Sequence, residues 1–102
     1  MLASARSALR YVAGMTETEF LADNKTQDSV VLRLEVIGEA ATKVTAETRA
    51  RLPEVPWQKV VAQRHIAVHH YRKLDYKRIW ATVHDDLPQL VEQLDAFLKE
   101  IP

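Results

Sequence analysis

The sequence predicts an all-α protein, a single domain over residues 1–102, and three observations carry that expectation. Apolar residues recur at the spacings of a helix face rather than in strand-like alternation. Turn residues are sparse, two glycines and four prolines, and they punctuate helical patterns rather than alternating strands. The composition, 47% hydrophobic and 27% charged, belongs to a globular chain of 102 residues, long enough for one core and marginal for two. No repeat, low-complexity tract or linker interrupts it.

The elements follow in order. A first helix runs from about Leu2 to Ala13 and stops near Gly14, a residue that tolerates the left-handed conformation of a helix end. Thr16 with Glu19 three residues later is a capping-box pattern for a short second helix. A third and longer helix extends from about Thr26 to Lys43, with Asn24 or Lys25 as its approach. Its stripe of Val30, Val31, Leu34, Ile37 and Ala41 is core-facing, while Leu32, Val36 and Ala40 add apolar surface elsewhere. That surplus places the helix at the centre of the bundle or along a dimer interface. Gly38 costs of order 1 kcal/mol relative to alanine inside a helix, so beside Ala40 and Ala41 it marks the close approach of another backbone.

Thr45 caps a brief helix reaching about Arg51, and the prolines of LPEVPW then enforce a turn. Pro56 suits the first position of a fifth helix that runs to about His70. Asp75 is the N-cap of the next helix, which reaches Val83 or beyond. Pro88 either kinks that helix or divides it, with Asp85 or Asp86 capping a last segment to about Lys99.

The fifth helix contains RHIAVHHY, Arg64 to Tyr71, where an arginine, three histidines and a tyrosine crowd an otherwise apolar pattern. At about 100° per residue, Trp57, Val60, Val61, Arg64, Val68 and Tyr71 share a stripe roughly 100° wide, with Arg64 near its middle. A permanently charged side chain there must reach a carboxylate such as Glu35 or Glu39, snorkel to an edge, or stand where the stripe opens into a cleft or subunit seam. His65 and His69 are spaced like a two-histidine metal site, but no acidic or third histidine ligand recurs at a matching spacing, so no metal and no cofactor are expected. Arg64 and His69 point about 140° apart on an ideal helix, a separation that two copies of the helix across a two-fold axis would resolve.

Charge and composition exclude several functions. Basic and acidic residues both number 14, which argues against nucleic-acid binding through a global positive field. Locally the balance differs: Lys59, Arg64, Arg72, Lys73, Lys77 and Arg78 face only Asp75 between Gln58 and Arg78. After Ile79, Asp85, Asp86, Glu92, Asp95 and Glu100 face only Lys99. The chain has no cysteine, no clean signal-peptide core in MLASARSALRYVAGM and no run near the roughly 18 apolar residues of a membrane span. A cytoplasmic location and no membrane contact are the expectation.

Arg64, four intervening residues, His69, one residue, then Tyr71 matches the RxxxxHxY motif, and on it the chain resembles the HepT-like family of the HEPN superfamily. The resemblance extends through RYVAGM, EFLAD, TQDSVVLRLEVIGEAA, PEVPW and DYKRIWATVHDDLP, in the family's order, and so covers nearly the whole chain. It implies an antiparallel helical bundle that forms a homodimer. It further implies a metal-independent endoribonuclease toxin of a type II toxin–antitoxin pair, with tRNA among the candidate substrates. Arg64 and His69 of both subunits would line a cleft at the interface, and Tyr71 matches the tyrosine that a minimal nucleotidyltransferase antitoxin modifies with AMP. Where the family usually has asparagine or another small polar residue after the arginine, this chain has His65. Family chains also often have several residues before the segment that MLASAR matches.

The chemistry suits the side chains. A histidine titrating near neutrality can remove a proton from an RNA 2′-hydroxyl, and a guanidinium can hold phosphate oxygens. His65 and His70 are auxiliary candidates, and Arg72, Lys73, Lys77 and Arg78 are either RNA-backbone contacts or a solvated face. Trp57, Tyr76 and Trp80 either stack on bases or belong to the core. The alternative function is a catalytically inactive helical dimer that binds a nucleotidyltransferase partner or RNA.

Overall fold

A computed structural model describes residues 1–66 and 74–101 of the chain. Helix α1 spans Leu2–Val12, and Gly14 at φ 77° reverses the chain after it. Helix α2, Glu17–Leu21, begins with the expected capping box: Thr16 Oγ1 accepts from Glu19 N at 3.1 Å, and Glu19 Oε1 accepts from Thr16 N at 2.9 Å.

Helix α3 runs Asn24–Thr42, starting earlier than its apolar pattern does because Asp23 caps it. The Asp23 carboxylate accepts from both the backbone N (3.0 Å) and the hydroxyl (2.8 Å) of Thr26. Those bonds lower the Asp23 pKa, the backbone one most. Helix α4, Ala46–Ala50, is capped by Thr45, and α5 covers Trp57–Ala62 with Pro56 as the flanking residue. At Gln63 the chain tightens into a 3₁₀ turn over Gln63–His65, and Ile66 is helical again. His70, the expected end of this helix, lies outside the described residues.

Helix α6, Tyr76–Ala81, is capped by Asp75 as expected, with Oδ1 accepting from Arg78 N at 3.2 Å. A π segment, Thr82–Asp86, leads into α7, Leu87–Glu100. The expected helix is thus divided, with Pro88 in the first turn of α7. The proline's missing N–H falls at the junction, where a wider turn has already shifted the hydrogen-bond register. Asp86 makes no side-chain capping bond. It pairs instead with Lys59 of α5 at 3.3 Å.

Helix α3 is the centre of the bundle. It packs against α1, α2, α5 and the 3₁₀ turn, while α7 closes the core against α1. Val30, Leu34, Ile37 and Ala41 are fully buried, joined by Ala5 and Ala8 of α1, Phe20, Val83 and Leu87. Burying one such Leu or Ile side chain is worth about 1.5–3 kcal/mol. Gln27 is 3% exposed on this face, and its Nε2 donates to the carbonyls of Phe20 and Leu21 at 3.0 Å each, closing the end of α2. On the outer face Leu32 and Val36 are 56% and 41% exposed. Among the described residues, no helix is long and apolar enough to cross a membrane.

Two stability outcomes follow. Thr16→Ala removes the bond to Glu19 N and should lower unfolding free energy by about 1 kcal/mol, read as a lower urea midpoint at unchanged slope. Asp95 pairs with Lys99 at 3.1 Å and Arg6 at 2.9 Å, and the Lys99 hydrogen bond is the main cause of its lowered pKa. A depressed carboxyl stabilises the fold above its ordinary value of 3.8, and the contribution is lost as pH falls through the folded value. The melting-temperature advantage over Asp95→Asn should therefore be present at neutral pH and absent in strong acid.

Candidate active site

The site begins where α5 ends. A 3₁₀ turn winds more tightly than an α-helix, so the ideal-helix stripe stops holding at Gln63. Val60 is buried and Trp57 and Val61 are half-buried as the stripe requires, but Arg64 is exposed. Its guanidinium is therefore not sealed inside the protein.

Gly38 of α3 decides the position of that turn. A Cβ built on Gly38 would lie 2.9 Å from both Arg64 Cα and Gln63 C, and closer still to Arg64 N. Backbone atoms cannot yield as the tip of a side chain can, so glycine alone permits this approach. The close contact expected from the sequence is present, and the backbone it admits is that of the candidate arginine.

Arg64 Nε donates to His65 Nε2 at 2.7 Å. As the acceptor, Nε2 carries no proton, so this contact places the imidazole proton on Nδ1. The residue that departs from the family pattern thus keeps a polar contact with the motif arginine and orients it. The remaining nitrogens of the guanidinium project from an exposed residue, available to an anion.

His69, His70, Tyr71, Arg72 and Lys73 lie outside the described residues. Lys77 and Arg78 are exposed on the first turn of α6. The aromatic candidates belong to the core margin. Trp57 Nε1 donates to Leu52 O at 3.1 Å, with the Arg49 guanidinium 5.3 Å from its ring. Trp80 is flanked by Phe20 and His84 at ring separations of 5.5 and 5.4 Å. Tyr76 is half-buried against the same core. Sequence reasoning passed over Gln63, whose side-chain Oε1 is buried without a hydrogen-bond partner among the described residues. An amphipathic pattern carries no signal for one orphaned atom.

The described residues form an all-α bundle that holds the turn bearing Arg64 against its central helix. The family profile described as ribonuclease HepT-like matches residues 1–97, and the chain belongs to this family of ribonucleases. It is similar to "Putative RNase MJ0127" of Methanocaldococcus jannaschii, 33% identical over 101 residues, covering 99% of this chain and 84% of that protein. It is also similar to "Probable ribonuclease HepT" of Thermococcus cleftensis, 35% identical over 81 residues, covering 79% of this chain and 74% of that one. "Putative RNase TTE0752" of Caldanaerobacter subterraneus is 30% identical over 89 residues, covering 87% and 80%. No solved structure matches the chain.

The Gly38 contact yields a direct test. Gly38→Ala should destabilise the protein by about 1–3 kcal/mol through overpacking, against a gain of order 1 kcal/mol from helix propensity. Because the clash falls on Arg64, ribonuclease activity should fall even under conditions where circular dichroism shows the variant fully helical.

Proposed function

We propose that this ribonuclease is the toxin of a type II toxin–antitoxin pair, a metal-independent endoribonuclease whose active site is shared by two protomers. The observation that carries the reading is the exposed Arg64, seated on Gly38, at the head of the sequence Arg64-x4-His69-x-Tyr71. Each protomer contributes Arg64 and His69 to one cleft. Leu32 and Val36 give α3 an outer apolar surface that a second copy can cover.

The reaction is a transesterification. The neutral imidazole of one His69 takes the proton of an RNA 2′-hydroxyl, and the 2′-oxygen attacks the adjacent phosphorus. The bond from phosphorus to O5′ breaks as a protonated imidazole, the partner's His69, gives its proton to that oxygen. Arg64 binds the non-bridging oxygens and stabilises the added charge of the pentacoordinate transition state. The products are a 2′,3′-cyclic phosphate and a 5′-hydroxyl. Arg72, Lys73, Lys77 and Arg78 hold the RNA backbone, which makes binding salt-sensitive. A nucleotidyltransferase antitoxin transfers AMP from ATP to the hydroxyl of Tyr71, releasing pyrophosphate and the hydroxyl proton, and the added phosphate and bulk two residues from His69 close the cleft to RNA.

Purified protein incubated with total tRNA should produce fragments ending in cyclic phosphate. Arg64→Ala and His69→Ala should each lower the rate by at least about 100-fold without unfolding the chain. Cleavage retained by both variants, or fragments with only 5′-phosphate and 3′-hydroxyl ends, rejects the assignment. A folded wild type that binds RNA or a nucleotidyltransferase but cuts no RNA would identify an inactive binding dimer instead.

A further inference from the structure

Trp80 and His84 sit one turn apart where α6 gives way to the π segment, and their rings stack at 5.4 Å with planes 23° apart. The inner ring belongs to the core margin, since Trp80 is half-buried with Phe20 against it. His84 does not: its side chain is 65% exposed, so the imidazole face turned away from Trp80 meets solvent. The edge of the same ring is fixed as well. A carboxylate only accepts, so His84 Nδ1 donates to Asp85 Oδ1 at 2.9 Å.

Cations share this surface. Lys77 precedes His84 by seven residues, two turns or about 10 Å along the axis, so the two project from one face with Arg78 at its side. Both basic residues are exposed, and among the described residues neither forms an ion pair. The neighbouring acids are already engaged, Asp85 by His84, Asp86 by Lys59 at 3.3 Å, and Asp75 by the backbone N of Arg78. The π segment is itself unusual, and such wider turns recur at functional sites.

A flat ring backed by a second ring and bonded at its edge is a surface that a third flat ring can extend. Because the imidazole is already held, a ligand that stacks on it loses less freedom in binding than one that must immobilise a rotating side chain. Every nucleobase has such a face, and unpaired cations beside it suit the phosphates that join one base to the next. An acidic peptide would engage the cations and leave the imidazole face unused.

We propose that His84, backed by Trp80, is a stacking platform for a base of single-stranded RNA, with Lys77 and Arg78 holding the flanking phosphates. The proposal rests on the ribonuclease reading for its ligand and adds a grip on the substrate from an element other than the one that carries Arg64. Base faces are hidden in a duplex, so the platform favours single strands.

The test adds 2′-O-methyl oligoadenylate, which lacks the attacking 2′-hydroxyl and is not consumed, to the isotope-labelled full chain. The His84 ring signals, identified by their loss in His84→Ala, should move upfield under the stacked base, and the same strand annealed to its complement should move them little. His84→Ala should weaken binding about five- to tenfold, the effect of one lost stacking contact. His84→Phe should restore it, because a phenyl ring keeps the face and gives up only the bond to Asp85. Lys77→Ala should weaken binding across all sequences and lower the salt slope by about one. His84 signals unmoved by the single strand, a folded His84→Ala that binds as tightly as wild type, or a His84→Phe that binds no better than His84→Ala each overturns the inference.

Kinetics separate the platform from the nuclease reading. On long RNA the loss in His84→Ala should appear as a higher KM, whereas Arg64→Ala loses kcat. Cleavage that depends on Arg64 and His69 but is indifferent to His84 sinks the platform and leaves the active site standing. A chain that grips the 2′-O-methyl strand through His84 and cuts no RNA sinks the nuclease assignment and leaves the platform.

Discussion

The contact between the bare Cα of Gly38 and the backbone of Gln63 and Arg64 sets the geometry on which the site depends. A glycine in the middle of a 19-residue helix sacrifices of order 1 kcal/mol of helix propensity, and here the sacrifice permits two backbones to meet without an intervening side chain. Side-chain packing leaves room for adjustment, but backbone against backbone leaves little. The turn is thereby indexed to α3, and with it the exposed Arg64.

The rest of the bundle makes α3 a firm reference for that contact. Its buried stripe packs between α1 and α5, and its two ends are tied by polar side chains rather than left to fray. Asp23 caps the start, Gln27 joins it to the end of α2, and Arg49 donates to Ala41 O at 2.7 Å near the finish. The same Arg49 covers the ring of Trp57, the first residue of α5. One guanidinium therefore links the end of the central helix to the beginning of the helix that delivers the site.

Two arginines illustrate how surroundings divide one side chain into different roles. Arg49 is half-buried with its guanidinium bound to a carbonyl and an aromatic face, so its charge is spent internally. Arg64 is exposed, and its one described side-chain partner is the neutral acceptor nitrogen of His65. A neutral partner orients a guanidinium without cancelling its charge, a condition for attracting a phosphate that an ion pair would remove. In the proposed mechanism this makes His65 a positioning residue for the motif arginine.

Much of the architecture was legible in the amino-acid order because helix caps and apolar stripes are local. Thr16 with Glu19, Thr45 and Asp75 mark helix starts through bonds to residues three positions away, and the stripe of α3 buries as its period requires. The motif Arg64-x4-His69-x-Tyr71 was equally visible, and Gly38 announced a close approach. Which backbone approaches, and that α5 yields to a 3₁₀ turn at Gln63, were not, because both depend on the packing of residues 25 positions apart in the chain. Periodicity put Arg64 in the middle of a buried face by assuming about 100° for every residue. The tertiary contact at Gly38 interrupts that winding, and the energetic cost of burying an unpaired guanidinium leaves solvent as its place. Sequence alone therefore determined the helices and the chemical groups available; only the packing of α5 onto α3 decided which of those groups face outward.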